Sequence, residues 1–290
     1  MSVAIAGLGI MGSAMAQHLY AHHGALLVWN RSGNRPAPKG AVRVDTPADL
    51  GRQARLIHLS LLDTDAVEQV AFGPEGIFAE ARPGGLLLDH STISASATRD
   101  FARRAQAAGW GWVDAPVSGG RVGAEQATLS VFLGASDTLA SRAIEAVAAI
   151  SGRATVMGPT GAGQATKAVN QLIVGGTFAL LAEAVALARA GDVDAARLPG
   201  AMAGGFADST LMQRQMQRMA EGPGDLHGTS AVMLKDLDLV AAEAGGVLGE
   251  HALSRAAHGL WQRHVAAGHG ATDWVSILET VLAEAKGNGT

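Results

Sequence analysis

Three glycines near the amino terminus constrain the fold of this chain more than any other feature. They stand in Gly7-Leu-Gly9-Ile-Met-Gly12, directly after the apolar run Val3–Ala6 and directly before a helical pattern. Gly7 permits a tight turn, Gly9 lets the backbone approach a pyrophosphate, and Gly12 allows the helix to pack closely on the strand. The helix N-terminus then supplies amide donors and partial positive charge. The segment therefore predicts a dinucleotide-binding strand, turn and helix.

The first half of the chain alternates short apolar runs with helical patterns. Further strands are predicted at Ala25–Trp29, Leu56–Ser60, Leu86–Asp89, Gly111–Asp114, Leu129–Leu133 and Thr155–Met157. Helices are predicted between them, for example at Ser13–His23 and at Thr64–Val70. This alternation is typical of an α/β protein with a doubly wound, mostly parallel sheet, the Rossmann architecture.

The pattern changes after about residue 160. Ala162–Ala190 is one apolar-periodic stretch without proline, longer than the roughly 8–20 residues of a usual globular helix. We expect a long helix that links two domains or packs on another subunit, and not a membrane span, because Glu183 and Arg189 interrupt it. Other helices are predicted at Ala195–Ala203, Ser209–Glu221, Val232–Ala244, Leu248–Ala267 and Asp273–Ala285. The prediction is a dinucleotide-binding domain at 1–160 and an all-α substrate and oligomerisation domain at 161–290.

Composition excludes several kinds of partner and site. The chain has 22 Lys and Arg residues against 26 Asp and Glu, a formal charge of −4, so it lacks the positive field that nucleic acid or an anionic membrane surface requires. It has no cysteine, which excludes disulfides and thiolate chemistry. The ten histidines lack the H-E-x-x-H spacing, so no metal site is predicted. Since no signal-peptide pattern is visible, we expect a cytoplasmic protein.

The end of the second predicted strand distinguishes between NAD and NADP. A site for NAD usually has Asp or Glu here, to bind the ribose 2′-hydroxyl. This chain has Asn30, Arg31 and Ser32, with Arg35 nearby. A guanidinium and a hydroxyl would hold a 2′-phosphate through charge-assisted hydrogen bonds, whereas a carboxylate would repel it. The segment favours NADP(H), with NAD(H) as the second cofactor, although a solvated basic turn would have the same sequence.

Four further motifs follow in order: Asp89-His-Ser-Thr92, Asp114-Ala-Pro-Val-Ser-Gly-Gly120, Gly161-Ala-Gly-Gln-Ala-Thr-Lys167-Ala-Val-Asn-Gln171 and Lys235-Asp236-Leu237. Together with the glycine motif, they resemble the β-hydroxyacid dehydrogenase family. That family includes 3-hydroxyisobutyrate dehydrogenase, tartronate semialdehyde reductase and glyoxylate/succinic semialdehyde reductases. The resemblance covers nearly the whole chain. It implies hydride transfer between a nicotinamide and a short β-hydroxy acid or its semialdehyde.

Laid onto matching positions, the resemblance also implies individual roles. Lys167 corresponds to the catalytic lysine. The implied substrate-site residues are Ser118, Gly119, Gly120, Gln171 and Asp236, of which the first three bind the substrate carboxylate. Thr92 would lie beside the nicotinamide, and Lys235 would contact the cofactor. The complete set of expected cofactor contacts is Gly7, Leu8, Gly9, Ile10, Met11, Gly12, Asn30, Arg31, Ser32, Leu62, Thr92 and Lys235.

The chemistry of these residue types agrees with the implied roles. Successive amides of Gly119 and Gly120, with the Ser118 hydroxyl, make an anion nest suited to a carboxylate. Lys167 lies in an apolar part of its helix, where burial would lower its pKa and let it donate a proton in reduction or accept one in oxidation. The structural alternatives are a plain turn at Ser118, a snorkelling surface lysine at Lys167, a helix cap at Thr92 and a surface ion pair between Lys235 and Asp236.

Two positions depart from the family pattern. Where the family usually has a second asparagine four residues after the lysine, this chain has Gln171, with the same amide on a stem one methylene longer. Residues four apart share a helix face, so Gln171 can still point where Lys167 points. Eight residues before Asp236, where many members have phenylalanine, this chain has Gly228, preceded by His227. We expect a larger or wetter pocket and a bulkier or more polar substrate.

Other functions fit part of this pattern. Imine reductases share the fold and a similar cofactor turn, but they generally replace the lysine and lack the Pro-Val-Ser-Gly-Gly stretch. A catalytically silent scaffold would be expected to lose the lysine, which is present here. 6-Phosphogluconate dehydrogenase resembles the chain less well, because this chain is too short and lacks that enzyme's histidine–asparagine pair. The surface of the long apolar helix is hard to cover within one chain, so we expect a homodimer or tetramer.

Overall fold

Nine short strands form one sheet in the amino-terminal part of the molecule, which is a computed structural model that describes residues 2–245, 247–249 and 252–287. The strands are β1 Val3–Ala6, β2 Leu27–Trp29, β3 Val42–Arg43, β4 Leu56–Leu59, β5 Leu86–Asp89, β6 Gly111–Asp114, β7 Val117–Ser118, β8 Leu129–Gly134 and β9 Ser151–Gly158. Their order is β3-β2-β1-β4-β5-β6-β8-β7, and β9 pairs with β8. This confirms the predicted doubly wound α/β sheet.

The sheet is parallel from β3 to β6, and β8 is antiparallel to both β6 and β7. The chain runs outward from β1 through β2 to β3, and then returns to the other side of β1 with β4. Ligands of open α/β sheets bind at such a reversal point, outside the carboxyl ends of the strands. A ligand site is therefore expected among the segments that follow β1, β4, β5 and β6.

Six helices cover the two faces of the sheet: α1 Ile10–His23, α2 Pro47–Gln53, α3 Thr64–Phe72, α4 Ala95–Ala107, α5 Gly120–Glu125 and α6 Asp137–Val147. Because side chains alternate along a strand, the sheet supplies two separate cores. One face carries Ile5 and Val113, and the other carries Ile57, Leu87 and Trp112. All five side chains are at most 2% exposed, so the strands are held from both sides.

Two short strands, β3 and β7, were absent from the sequence prediction. Each has two residues, which is too short to show an alternating pattern. The last strand was predicted at Thr155–Met157 but extends over Ser151–Gly158, largely exposed. Its pairing with β8 defines it, not its own hydrophobicity.

The helix α7, Ala162–Ala190, agrees with its predicted bounds. Packing divides the chain into two compact units, one ending at Lys167 and the other beginning at Ala168, so α7 contributes its first turns to one unit and the rest to the other. By length and composition α7 could cross a membrane, with a mean hydropathy of 1.7 in its most apolar window. Phe178, Ala182 and Val185 are nevertheless fully buried in the second unit.

The second unit is helical, with α8 Leu198–Met202, α9 Thr210–Glu221, α10 Ser230–Ala244, α11 Leu253–Ala266 and α12 Ile277–Gly287. Two predicted starts were wrong. Asp273 is not helical, because its side chain accepts the Val275 N–H at 3.1 Å and caps a short 3₁₀ turn before α12. Helix α11 begins at Leu253, five residues after the predicted Leu248; Glu250 and His251 lie outside the described residues.

Candidate active site

The glycine motif forms the turn between β1 and α1, and two of its glycines are required by packing. Gly7 has a φ of +96°, and a Cβ there would lie 2.1 Å from the carbonyl oxygen of Ser60. A Cβ on Gly12 would lie 1.9 Å from the Gly7 carbonyl oxygen. Neither position can hold a side chain, so strand and helix pack as closely as the sequence predicts.

Gly9 differs from the other two glycines of the motif, since a Cβ there would lie within 4 Å of no described residue other than its own chain neighbours. Packing therefore does not explain this glycine, whereas close approach of a ligand would. Gly9 is also the N-cap residue of α1, whose first turn has no acidic residue and no capping side chain. The free amides of such a turn suit a pyrophosphate, so the residues present fit a dinucleotide.

Asn30 follows β2, and its side chain is hydrogen-bonded to the glycine turn. Its Oδ1 accepts the Leu8 N–H at 2.8 Å, and its Nδ2 donates to the Ser32 carbonyl at 2.9 Å. Arg31 and Ser32 are exposed beside it. Sequence reasoning missed this structural role of Asn30, which joins the turn after β1 to the turn after β2. Its contact with a cofactor stays a prediction.

The segment after β5 carries Thr92, which is half-buried between two anchored neighbours. The side chain of Gln164 in α7 donates from Nε2 to the Ser91 carbonyl at 2.7 Å and accepts the Ile93 N–H at 3.2 Å. Thr92 is not the cap of the next helix, because Ser94 accepts the Ala97 N–H and caps α4. The capping explanation for Thr92 is thus excluded.

Asp114, at the end of β6, is fully buried and holds the start of α7. Its Oδ1 accepts the Gly161 N–H at 2.8 Å and its Oδ2 accepts the Gln164 N–H at 2.9 Å. Burial raises the pKa of Asp114 to about 6, although these backbone N–H groups lower it in part. The carboxylate acts as a cap supplied by a distant strand.

Lys167 is 8% exposed, and its Nζ donates to the Val117 carbonyl at 2.9 Å. A snorkelling surface lysine is therefore excluded. Val117 directly precedes the predicted carboxylate-binding turn, in which Gly119 and Gly120 have φ values of +126° and +61°. Positive φ values of this kind favour glycine, which explains the two glycines of the turn. The buried amine of Lys167 therefore lies next to the turn that begins at Ser118.

The second unit holds a separate polar cluster made of Gln171, Lys235 and Asp236. Gln171 Nε2 donates to Asp236 Oδ2 at 2.7 Å, and Lys235 Nζ lies 2.8 Å from Asp236 Oδ1. Gln171 and Asp236 are each 5% exposed, so this is not the surface ion pair of the structural alternative. Asn170 Nδ2 donates to Gln171 Oε1 at 2.8 Å and turns the glutamine amide toward the carboxylate.

Gly228 does not open a space in the molecule. A Cβ there would lie 2.3 Å from Cζ2 of Trp274, whose indole N–H donates to the Thr229 carbonyl at 2.9 Å. The indole occupies the volume beside the glycine. The expected larger or wetter pocket at Gly228 was therefore wrong, because a tryptophan far along the chain replaces the missing aromatic side chain.

Two histidines, His58 and His90, are buried in the sheet. His58 Nδ1 and His90 Nε2 lie 2.9 Å apart, and His90 Nδ1 lies 2.8 Å from the Ala115 carbonyl. Burial holds the pKa of His58 well below its usual range and lowers that of His90 to about 4, so both are neutral near pH 7. They join β4, the segment after β5 and the segment after β6. Among the described residues, no group of three metal-binding side chains occurs.

The roles of Asp114 and Gln164 were not recognised in the sequence, although both stand within its motifs. A carboxylate at the carboxyl end of a buried strand was the available signal for Asp114. Gln164 had no local signal. Two further predicted contacts are exposed: Ile10, the first residue of α1, by 44%, and Leu62, in the turn after β4, by 56%. Met11, the second residue of α1, is half-buried.

Two family profiles match the chain. One, described as the NAD binding domain of 6-phosphogluconate dehydrogenase, matches residues 2–158. The other, described as NAD-binding of NADP-dependent 3-hydroxyisobutyrate dehydrogenase, matches residues 161–281. Between them the profiles cover nearly the whole chain.

Individual proteins agree with the profiles. The chain is 32% identical over 246 residues to 2-hydroxy-3-oxopropionate reductase of Escherichia coli (strain K12), with 84% of each protein covered. The Mycobacterium tuberculosis 3-hydroxyisobutyrate dehydrogenase, solved with L-serine, has a TM-score of 0.85 at 25% identity and covers 97% of this chain and 98% of its own. An imine reductase from Myxococcus stipitatus, solved with NADP+, has a TM-score of 0.62 at 19% identity over 97% and 100%, a likeness of fold alone.

Proposed function

The chain belongs to the β-hydroxyacid dehydrogenase family of NAD(P)-dependent enzymes, and from this premise we propose that it transfers a hydride between NADP(H) and a short β-hydroxy acid or its semialdehyde. One observation carries the proposal. The Lys167 amine is buried and hydrogen-bonded to Val117, beside the turn that begins at Ser118. This position supports the proposal, because the reduction of an aldehyde acid requires a proton donor next to a group that binds the carboxylate.

Lys167 handles the proton in this proposal, while the bound nicotinamide supplies or accepts the hydride. In reduction, the ammonium donates a proton to the carbonyl oxygen as negative charge develops there. In oxidation, the neutral amine accepts the hydroxyl proton. The bond to Val117 restricts the amine to one region, which reduces the orientational cost of the transfer.

The Ser118-Gly119-Gly120 turn binds the substrate carboxylate. The positive φ values of Gly119 and Gly120 support this role, in which successive backbone amides and the serine hydroxyl donate to the carboxylate. With the carboxylate here and the amine beside it, the reacting carbon lies a short distance from the acid group. Short β-hydroxy acids and semialdehydes have this spacing.

NADP(H) is the preferred cofactor in this proposal. The amides around Gly9 would hold the pyrophosphate, Arg31 and Ser32 would hold the 2′-phosphate, and Thr92 would lie beside the nicotinamide. Exposure of Arg31 and Ser32 beside the anchored Asn30 supports the assignment, because the 2′-phosphate is itself a solvated dianion.

Gln171 and Asp236 contact the substrate, with Lys235 paired to Asp236. The cluster favours a polar substituent on the substrate, since its carboxylate and amide can exchange hydrogen bonds with a hydroxyl or a second acid group. Gly228 no longer supports a bulkier substrate, so the preference rests on polarity.

Self-association is a second part of the proposal. Four large apolar side chains of α7, Val169, Ile173, Leu180 and Leu187, are 58–76% exposed at spacings of four and seven residues. Such a stripe matches the seam through which helices of two subunits pack. Ile173→Glu and Leu187→Glu should shift the mass measured by light scattering toward that of one chain, whereas an unchanged mass contradicts the assignment.

The first experiment is steady-state oxidation of NADPH with glyoxylate and with succinic, tartronate and methylmalonate semialdehydes. Turnover of at least one is expected. Butanal, which has the length of succinic semialdehyde without its acid group, should be a poor substrate. Ser118→Ala should reduce the ratio of kcat/KM between succinic semialdehyde and butanal. Equal turnover of butanal by the wild type would contradict the carboxylate site. Tight NADPH binding without turnover of any acid would favour a scaffold, and turnover of cyclic imines alone would favour imine reduction.

A further inference from the structure

Asp114 is held in a space bounded by backbone. A Cβ on Gly134, its register partner in β8, would lie 2.3 Å from Asp114 Oδ1, and a Cβ on Gly163 would lie 2.8 Å from Oδ2. Both oxygens are used, one by the Gly161 N–H and one by the Gln164 N–H. A carboxylate fits this space and no larger side chain does. An amide would offer one acceptor where two are needed.

Gln164 extends the same connection to a third segment. Its backbone N–H is bonded to Asp114, while its side chain bonds both Ser91 and Ile93 on either side of Thr92. The side chain is 3% exposed, so water does not compete for these bonds. One residue thus ties the first turn of α7 to the ends of β5 and β6.

Lys167 stands one turn after Gln164 on the same helix. Its amine meets Val117, three residues after Asp114, so the first turns of α7 are fastened at both ends of that short segment. We propose that Asp114 and Gln164 are positioning residues for the reaction, which hold the Lys167 amine against the Ser118 turn and hold Thr92 between its two neighbours. The proposal rests on the function assigned above to Lys167 and Thr92.

The anchoring depends on the charge of Asp114. When the Asp114 carboxyl takes up a proton, one of its two oxygens becomes a hydroxyl group. That oxygen is a weaker acceptor, so its hydrogen bond from the backbone N–H of Gly161 or Gln164 weakens. The ionisable groups around it are Asp89, its register partner on β5; His90, bonded to the Ala115 carbonyl; Arg99 of α4, which reaches Gly161; and Lys167 of α7. The residues of β8 have no ionisable side chain.

The decisive variant is Asp114→Asn, which keeps the shape and removes one acceptor. We expect kcat to fall about tenfold, with the KM of NADPH unchanged, because the amine is displaced while the glycine turn is untouched. The wild type should lose kcat on the acid side near pH 6, and the variant should lack that limb, since it has no carboxyl to protonate at this position. Asp100→Asn, an exposed carboxylate of α4, is the matched control and should behave as the wild type.

Gln164 supplies an independent pair of variants. Gln164→Glu keeps the acceptor for Ile93 but places a buried carboxylate oxygen against the Ser91 carbonyl, whereas Gln164→Met loses both bonds at similar side-chain length without adding a charge. We expect kcat to fall for both variants. Gln106→Met, at an exposed position of α4, is the control. If circular dichroism shows that Asp114→Asn does not fold, the Gln164 variants and the pH profile of the wild type still test the positioning inference.

Lys167→Met separates this inference from the proposed function. Full turnover by Lys167→Met would overturn the function itself. The positioning inference alone would be overturned by a different result. In that case Lys167→Met would be inactive, while Asp114→Asn and Gln164→Met would keep the wild-type kcat and Asp114→Asn would keep the decrease in kcat at acid pH. A rise in the KM of NADPH that matches the fall in kcat would also overturn it, because cofactor binding would then be the affected step.

Discussion

Asp114 and Asp236 are two buried carboxylates bonded to residues of α7, and they are held in opposite ways. Asp114 accepts hydrogen bonds from the backbone of Gly161 and Gln164. Asp236 is bonded by side chains, those of Gln171 and Lys235. Any substitution of a donor residue can remove its side-chain donor, whereas only a substitution by proline removes its backbone donor. The first carboxylate is therefore suited to a task that every substrate requires, and the second to one that can change with the substrate.

One of the two departures from the family pattern, Gln171, is bonded to the second carboxylate. Gln171, which replaces the usual asparagine, bonds Asp236, while the motif residues around Asp114 have no such replacement. The difference suggests separate control of rate and of substrate choice. If the two carboxylates have separate roles, substitutions at each should change different kinetic constants.

The largest effect should come from Lys167→Met, which removes the proton donor anchored near Asp114. We expect kcat to fall at least about 100-fold, because general acid catalysis contributes factors of this size. NADPH binding, measured by fluorescence titration, should change little. Lys39→Met, at an exposed position of the same unit, is the control. A kcat within a few-fold of the wild type would remove the lysine from the reaction.

Asp236→Asn should change binding more than rate. The charge paired with Lys235 is lost while an acceptor for Gln171 remains, so we expect the KM of the acid substrate to rise about tenfold and kcat to change less than about threefold. Asp114→Asn should show the reverse split. Asp238→Asn, an exposed neighbour on α10, is the control. Equal falls in kcat for both buried-carboxylate variants would end the distinction between them.

Arg31→Ala tests an exposed charge against these buried ones. The KM of NADPH should rise about tenfold, while that of NADH should stay the same, because only NADPH has the 2′-phosphate. Salt screens exposed charges, so the difference should shrink at high ionic strength. Arg103→Ala, whose side chain is 74% exposed on α4, is the comparison. Equal effects on both cofactors would contradict the preference for NADP(H).

Gln171→Asn restores the residue usual in the family and shortens the reach toward Asp236 by one methylene. The ratio of kcat/KM between polar and simple semialdehydes should move about fivefold toward the simple ones, a change of about 1 kcal/mol. Gln217→Asn, exposed on α9, is the control. An unaltered ratio would mean that the amide length does not select the substrate.

The smallest effect concerns stability. Burial raises the pKa of Asp114 from 3.8 to about 6, so between these values the folded chain holds a proton that the unfolded chain has released. Folding is therefore favoured as the pH falls through this range. Relative to Asp114→Asn, the wild type should gain about 1 kcal/mol of unfolding free energy from pH 7 to pH 5.

Urea unfolding of both proteins at the two pH values measures this gain. The buried histidines His58 and His90 have lowered pKa values, so their protonation reduces the unfolding free energy as the pH falls. Because both proteins contain them, their contribution cancels in the difference between the two proteins. A difference that does not depend on pH would show that Asp114 ionises as an ordinary surface carboxyl.

Local features allowed much of the molecule to be predicted. The glycine turn, the core strands of the sheet and the bounds of α7 follow from short patterns, because sterics and hydrophobic periodicity act over a few residues. Gly7 and Gly12 were assigned correctly for this reason. The two-residue strands β3 and β7, and the start of the final helix at its Asp273-capped turn, were beyond such patterns.

The sequence by itself determined the fold class, the dinucleotide turn and the family, since each depends on residue type and spacing along the chain. Only the tertiary structure decided which buried groups bond one another. Asp114 and Gly161 are 47 residues apart, Ser91 and Gln164 are 73 apart, and Trp274 fills the space beside Gly228 from 46 positions away. A hydrogen bond or a packing contact depends on distance in space, and no local pattern encodes which distant strand end meets the first turn of α7.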